Sequence, residues 1–203
     1  MPAKKINMKR KKLDGQERPS PRFDADGIDR LKKLEQEIIT LRASLQSERD
    51  KLLEECPDPM DVLVGAVAEQ SVAFPVSLIQ EVLPRVYLSS VPEAPAYLTG
   101  YLNWRGVPVP VIDPAARWGE APLPVRLEDR IVVFVRPEGP RALLLSRVEQ
   151  IARVSKSQLG RIPPEIPAGP YALALWYAGD RNILLISPDR LIDPAELAKY
   201  EIA

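Results

Sequence analysis

From residue 62 onward, apolar positions come in short runs broken by proline, glycine and polar pairs. Within the runs the period is two or less, which predicts strands. Residues 62–68 and 71–76 form the first two, and the short link Glu69-Gln70 predicts a hairpin between them. A third covers 78–83 and ends at Pro84, and a weaker one covers 86–88. Prolines over 91–98 forbid a long strand and leave room for one helical turn at 95–98. In 107–112, Val107, Val109 and Val111 alternate with Pro108, Pro110 and Ile112. Two prolines without N–H groups place this strand at an edge, or pair it on one side only. A short helix over 114–119 closes at Gly119, and 120–130 is a loop. Further strands follow at 131–135, 141–146 and 148–154, then a proline-rich loop over 155–170. A last hairpin joins 171–177 to 182–187 through Gly179-Asp180. A helical turn at 188–192 and a short helix at 194–200 complete the chain. About ten short strands with few helices predict an all-β barrel architecture. No internal sequence repeat is strong enough to argue from.

The front of the chain is patterned differently. Leu31, Ile38, Leu45 and Leu52 are spaced by seven. Leu34 and Leu41 fill the intermediate positions, and Glu48 breaks the third. Glu35, Glu37, Arg42, Glu48 and Arg49 keep the flanks charged. This heptad predicts a coiled-coil helix over 26–56 whose apolar stripe pairs with its own copy or with a partner's helix. The alternative is a single amphipathic helix folded onto the following domain. Asp26 is the expected N-cap, and Pro57 and Pro59 end the helix, leaving 57–61 as linker. Residues 1–25 form a basic tail, expected to be disordered. Up to Arg22 the tail has an excess of six positive charges.

Composition narrows the chemistry. Lys and Arg (28) balance Asp and Glu (28), so the chain has no net charge to favour nucleic acid. The tail could touch nucleic acid or an anionic membrane, but it has no interleaved aromatics for base stacking. There is no histidine and one cysteine, Cys56. That removes histidine-based triads, histidine-containing zinc sites and internal disulfides, and it fits a cytoplasmic location. No apolar run is long enough for membrane insertion. No phosphate-cradling glycine loop or metal-ligand spacing appears, so no enzymatic activity and no cofactor is expected.

The stretch Asn103-Trp104-Arg105-Gly106 is a polar and aromatic knot before a strand. Gly106 suggests a tight turn, and Arg105 either presents a guanidinium to a partner or is a solvated turn residue. The run from Tyr97 to Asp113 resembles the signature of CheW-type chemotaxis coupling domains, G-x-x-N-x-R-G-x-x-x-P-V-I-D. The run from Ala73 to Val82 resembles their opening motif. Segments beginning at Arg130, Ala142 and Arg181 resemble the later family strands, in order. The resemblance covers about 60–203, with the domain placed at 62–203. It implies a mainly β fold of two packed five-stranded, SH3-like barrels around a shared apolar core. It also implies a non-enzymatic adaptor between chemoreceptor cytoplasmic tips and the regulatory domain of a chemotaxis histidine kinase. By motif match, Glu81 and Arg105 fall at the receptor-binding groove, with Asn103, Trp104 and Gly106 beside them. Trp104 either packs between the barrels or lies exposed in that groove. An alternative role is a scaffold that positions a chemosensory array through its helix and tail, with kinase coupling lost. Three departures from the family pattern are Pro114 after the V-I-D, Trp118-Gly119-Glu120 shortly after, and Ser146 in place of an aspartate.

Overall fold

The computed structural model describes residues 25–137, 139–191 and 194–200. The basic tail and the Asp26 cap lie outside the described backbone or side chains. The chain divides into two units, 1–45 and 46–203.

Helix α1 spans Ala25–Glu55. In the first unit its apolar stripe is open: Leu31, Leu34, Ile38, Leu41 and Leu45 are all exposed. In the second unit a different face of the helix is used. Leu53, with Cys56 just beyond the helix, packs on an apolar cluster of the β-domain. Arg49 Nη2 donates to the Gly169 carbonyl at 2.7 Å. Glu48, where the leucine repeat breaks, lies 3.7 Å from Arg190. Leu52 remains exposed.

Eleven strands among the described residues form two sheets. The first is ordered β8-β1-β2-β11-β10-β9, from Arg147–Val154, Met60–Val67, Gln70–Pro75, Arg181–Ile186, Ala172–Ala178 and Leu159–Gly160. The second is ordered β3-β6-β7-β5-β4, from Ile79–Pro84, Arg130–Phe134, Arg141–Leu145, Val107–Ile112 and Leu98–Trp104. The second sheet is thus one continuous stretch of chain, inserted between β2 and β8 of the first. Its five strands match the expected number; the first sheet gains a sixth from the two-residue β9.

The two sheets repeat one plan. Each has an antiparallel hairpin (β1-β2, β6-β7) with an outer antiparallel neighbour (β8, β3). Each hairpin then joins a second hairpin through a two-residue parallel pairing, β11 with β2 and β5 with β7. Short helices α2 (Pro114–Arg117) and α3 (Pro188–Leu191) follow those second hairpins. Asp113 N donates to Tyr97 O at 2.7 Å, and Ser187 N donates to Tyr171 O at 3.1 Å, at matching places. Tyr97 and Tyr171, Ile112 and Ile186, and Pro114 and Pro188 recur at these matching places, but the rest of the repeat lies in hydrogen-bond geometry and not in side-chain identity, so it is faint in the sequence.

The main core lies between the sheets. Leu63, Val67, Val72 and Phe74 from the first meet Ile131, Phe134, Leu143 and Leu145 from the second. The Phe74 and Phe134 rings are 5.6 Å apart and tilted by 54°, within the centroid range that aromatic pairs favour. Alternation along β1 turns Val62 and Val64 to a second cluster with Ala73, Trp176 and Leu185.

Several expectations shift. Residues 86–88 form no strand; only Ser89 bridges, to Tyr101, and Arg85 bonds back to Asp129 at 2.7 Å. Residues 95–98 form a turn that leads into β4, not a helical turn. Strand β4 was hidden by its glycine and polar residues, yet it pairs with β5 along its length. Gly100 has φ +148, and a Cβ there would stand 2.6 Å from Ser89 O, so only glycine admits that bridge. Strand β1 starts at Met60, so the domain begins inside the expected linker.

Candidate functional site

Strands β4 and β5 meet through Arg105-Gly106, with Trp104 opposite Val107. Both turn residues have positive φ, +53 at Arg105 and +85 at Gly106. That is the signature of a type I′ turn, whose twist suits a two-residue hairpin. Asn103 Oδ1 accepts from Gly106 N at 3.0 Å and fixes the turn from inside. A Cβ on Gly106 would meet nothing within 4 Å, so backbone conformation and not space sets the glycine requirement.

The hairpin also accounts for the prolines. Pro108 faces Asn103 and Pro110 faces Tyr101, alternating with the Trp104–Val107 and Leu102–Val109 pairs. Counting from a two-residue turn, the proline pairs are the non-hydrogen-bonded ones, so their nitrogens point away from β4. On that other side β7 pairs only from Val111 onward. The proline-bearing half of β5 is therefore paired on one side, although the sheet edge itself is β4.

Glu81 stands on β3 and draws the knot together. Its Oε2 accepts from Trp104 Nε1 at 2.8 Å and from Arg105 Nη2 at 3.0 Å. The Arg105 guanidinium carbon lies 4.9 Å from the centre of the Trp104 ring, within cation–π range. Trp104 thus does two things at once: it is half-buried against the shared core, and its N–H orients Glu81. The indole bond holds the Glu81 carboxyl below the usual range, opposed by partial desolvation and helped by Arg105. Arg105 keeps 64% of its side chain exposed, so donors remain for a partner. Val82 and Val107, next in the chain to Glu81 and Gly106, are exposed apolar residues. They were not singled out from sequence, because an exposed valine in a strand has the same pattern as a buried one.

Asp113 was also missed as a structural anchor. It is buried, caps α2 through Oδ1 to Ala115 N at 2.9 Å and Ala116 N at 3.4 Å, and accepts Leu123 N at 2.6 Å through Oδ2. Burial pushes its carboxyl up, partly offset by those three backbone bonds. Two departures have local reasons: Pro114 fills the first position of α2, and Ser146 Oγ accepts Ala68 N at 2.8 Å.

A second carboxylate–arginine cluster occupies the matching place on the first sheet. Glu149 on β8 accepts from Arg181 at 3.0 Å and from Arg147 at 3.0 Å. No tryptophan joins it, and Arg181 also reaches Ser71 Oγ at 3.0 Å, so this guanidinium is more fully spent inside the chain.

The family profile described as CheW-like domain matches residues 61–196. The chain belongs to the CheW-like family. The probable chemotaxis protein CheW of Rhizobium etli is 25% identical over 139 residues, covering 67% of this chain and 89% of that protein. The chemotaxis protein CheW of Klebsiella aerogenes is 23% identical over 143 residues, covering 68% and 84%. Among solved structures, the scaffolding protein TtCheW from Thermoanaerobacter tengcongensis aligns with a TM-score of 0.62 at 22% identity. That alignment covers 68% of this chain and 91% of TtCheW, and it shows a shared fold. The front of the chain lies outside the residues that the family profile matches.

Proposed function

We propose that the chain is a non-enzymatic adaptor of bacterial chemotaxis, joining chemoreceptor cytoplasmic tips to the regulatory domain of a chemotaxis histidine kinase. Membership of the CheW-like family and the named chemotaxis relatives support this role. The observation that carries the site is the Glu81–Trp104–Arg105 cluster at the tip of the β4–β5 hairpin. A carboxylate and an indole fix the guanidinium from one side and leave its other donors pointing outward. Asn103 and Gly106 hold the turn that presents it. In this reading the groove beside Glu81 and Arg105 takes an acceptor-rich segment of the receptor tip. The protein works in the cytoplasm at receptor clusters. The alternative, an array-positioning scaffold that has lost kinase coupling, has no observation in its favour.

Helix α1 adds a second surface. Leu31, Leu34, Ile38, Leu41, Leu45 and Leu52 are exposed and serve as a helix-pairing face.

The test is charge reversal at Arg105. Arg105→Glu places two carboxylates side by side at an exposed turn. It is expected to abolish pull-down of a purified receptor-tip fragment while the thermal transition stays in place. Binding that survives in the folded variant overturns the site assignment.

A further inference from the structure

The apolar stripe of α1 has charged flanks that specify its partner. With Leu31, Ile38 and Leu45 at heptad position a and Leu34 and Leu41 at d, position g holds Arg30 and Glu37. Position e holds Glu35 and Arg42. All four flanking charges are exposed, and none has an ion-pair partner among the described residues.

In a parallel in-register pair, each g residue faces the e residue five positions on in the other helix. Arg30 then meets the partner's Glu35, and Glu37 meets the partner's Arg42. Two-fold symmetry doubles these to four attractive pairs, with no like-charge contact. Antiparallel pairing sets g against g and e against e. The register that stacks Leu31, Leu34, Ile38 and Leu41 puts Glu35 on the partner's Glu35 and Glu37 on the partner's Glu37. One heptad further along, Leu31 falls on the partner's Glu48 and Arg30 on the partner's Lys51. Both antiparallel registers pay in charge or in a polar core layer.

The stripe also has a defined end. At the next d and e positions, Glu48 lies by Arg190 and Arg49 bonds the Gly169 carbonyl, so both are engaged by the β-domain. Leucine at both d positions with Ile38 at the central a position suits two strands.

We infer that α1 pairs with α1 of a second copy of this chain, as a parallel in-register two-stranded coiled coil over Leu31 to Leu45. This rests on the reading of the stripe as a helix-pairing face and makes the adaptor bivalent.

Sedimentation equilibrium on the full chain tests it. The wild-type chain is expected to dimerise. Arg30→Glu/Arg42→Glu makes all four flanking positions acidic, and Glu35→Arg/Glu37→Arg makes them all basic. Each variant alone should dissociate about tenfold more readily or worse. An equimolar mixture should restore a one-to-one heterodimer. In a Cys56→Ser background, Leu34→Cys should cross-link on mild oxidation, because only a parallel pair places residue 34 against itself. A chain that stays monomeric at the highest attainable concentration overturns helix pairing itself and leaves the Arg105 site untouched. A dimer indifferent to both charge variants, or one whose Leu34→Cys does not cross-link, overturns the parallel arrangement.

Discussion

Replacing Asp113 with alanine removes three hydrogen bonds from one buried carboxylate. The lost cap on α2 costs about 1 kcal/mol. The Leu123 N–H, left buried without its 2.6 Å acceptor, adds about 1–3 kcal/mol. Relief of the buried charge offsets part of this, since burial raises the Asp113 carboxyl above its ordinary value. A net loss of about 2–3 kcal/mol follows, roughly 4–12 °C in Tm for a domain of this size. Asp113→Asn separates the two roles. Its oxygen keeps the bonds to Ala115 and Ala116, but its NH2 group then faces the Leu123 N–H, donor against donor. It should therefore fall between wild type and alanine. Urea unfolding followed by tryptophan fluorescence gives the stabilities, and native-state hydrogen exchange reports the Leu123 and Ala115 amides separately. Because the folded carboxyl titrates above its unfolded value, the stability it contributes is full below the unfolded pKa. It is lost as pH rises through the folded one. Asp113→Asn should remove that slope. An alanine variant that loses under about 0.5 kcal/mol, or protects Leu123 as well as wild type does, would refute the clamp.

Arg105→Gly releases a non-glycine residue from left-handed backbone, worth about 1–2 kcal/mol, against about 0.5–1 kcal/mol of extra unfolded-state entropy. The exposed Glu81 pair and the cation–π contact to Trp104 are lost as well, about 0–1 and 0.5–1 kcal/mol, so the terms nearly cancel: thermal unfolding should show little change in Tm while receptor-tip binding is lost, and a loss of about 3 kcal/mol or more counts against this balance. Arg85→Ala leaves the buried Asp129 carboxylate with the Arg126 N–H at 2.9 Å but without its 2.7 Å ion pair, and should cost about 2–3 kcal/mol in urea unfolding. For Glu81, carbon-detected NMR titration should give a midpoint below the ordinary glutamate value, so its stabilisation is present above the unfolded pKa and lost as pH falls through the folded one. Trp104→Phe should move that midpoint towards normal, because the indole bond is the largest single cause of the depression.

Much of the fold was legible because burial imposes period two. The runs at 62–68, 71–76, 131–135 and 141–146 became β1, β2, β6 and β7 with ends shifted by a residue or two. Where burial did not set the pattern, the reading failed. Strand β4 carries Thr99, Gly100 and Asn103, which look like loop. Its strand state comes from pairing with β5 and from the Ser89 bridge, both tertiary. Motif order singled out Arg105 and Glu81, whose side chains do meet, and the positive φ of Gly106 agrees with the turn expected there. That the indole of Trp104 donates to Glu81 could not be seen, because no spacing rule links residues 81 and 104. Asp113 stood inside the motif in plain view. Its clamp on Leu123 depends on a loop whose path the sequence does not encode in any period.

The insertion of one sheet into the other has a consequence for synthesis. As the chain leaves the ribosome, β1 and β2 emerge first as a hairpin lined with Val62, Leu63, Val64, Val72 and Phe74. Their remaining partners, β8 and β11, are still untranslated. The continuous segment from β3 to β7 can meanwhile close its own pairings, and offers Phe134 and Leu145 as a surface for the waiting hairpin. Vectorial folding then runs from the middle of the domain outward, and the first sheet is sealed only when Ile186 is out. A chain truncated after β7 and released should accordingly protect β6 and β7 from exchange while leaving the β2 edge open and attractive to chaperones.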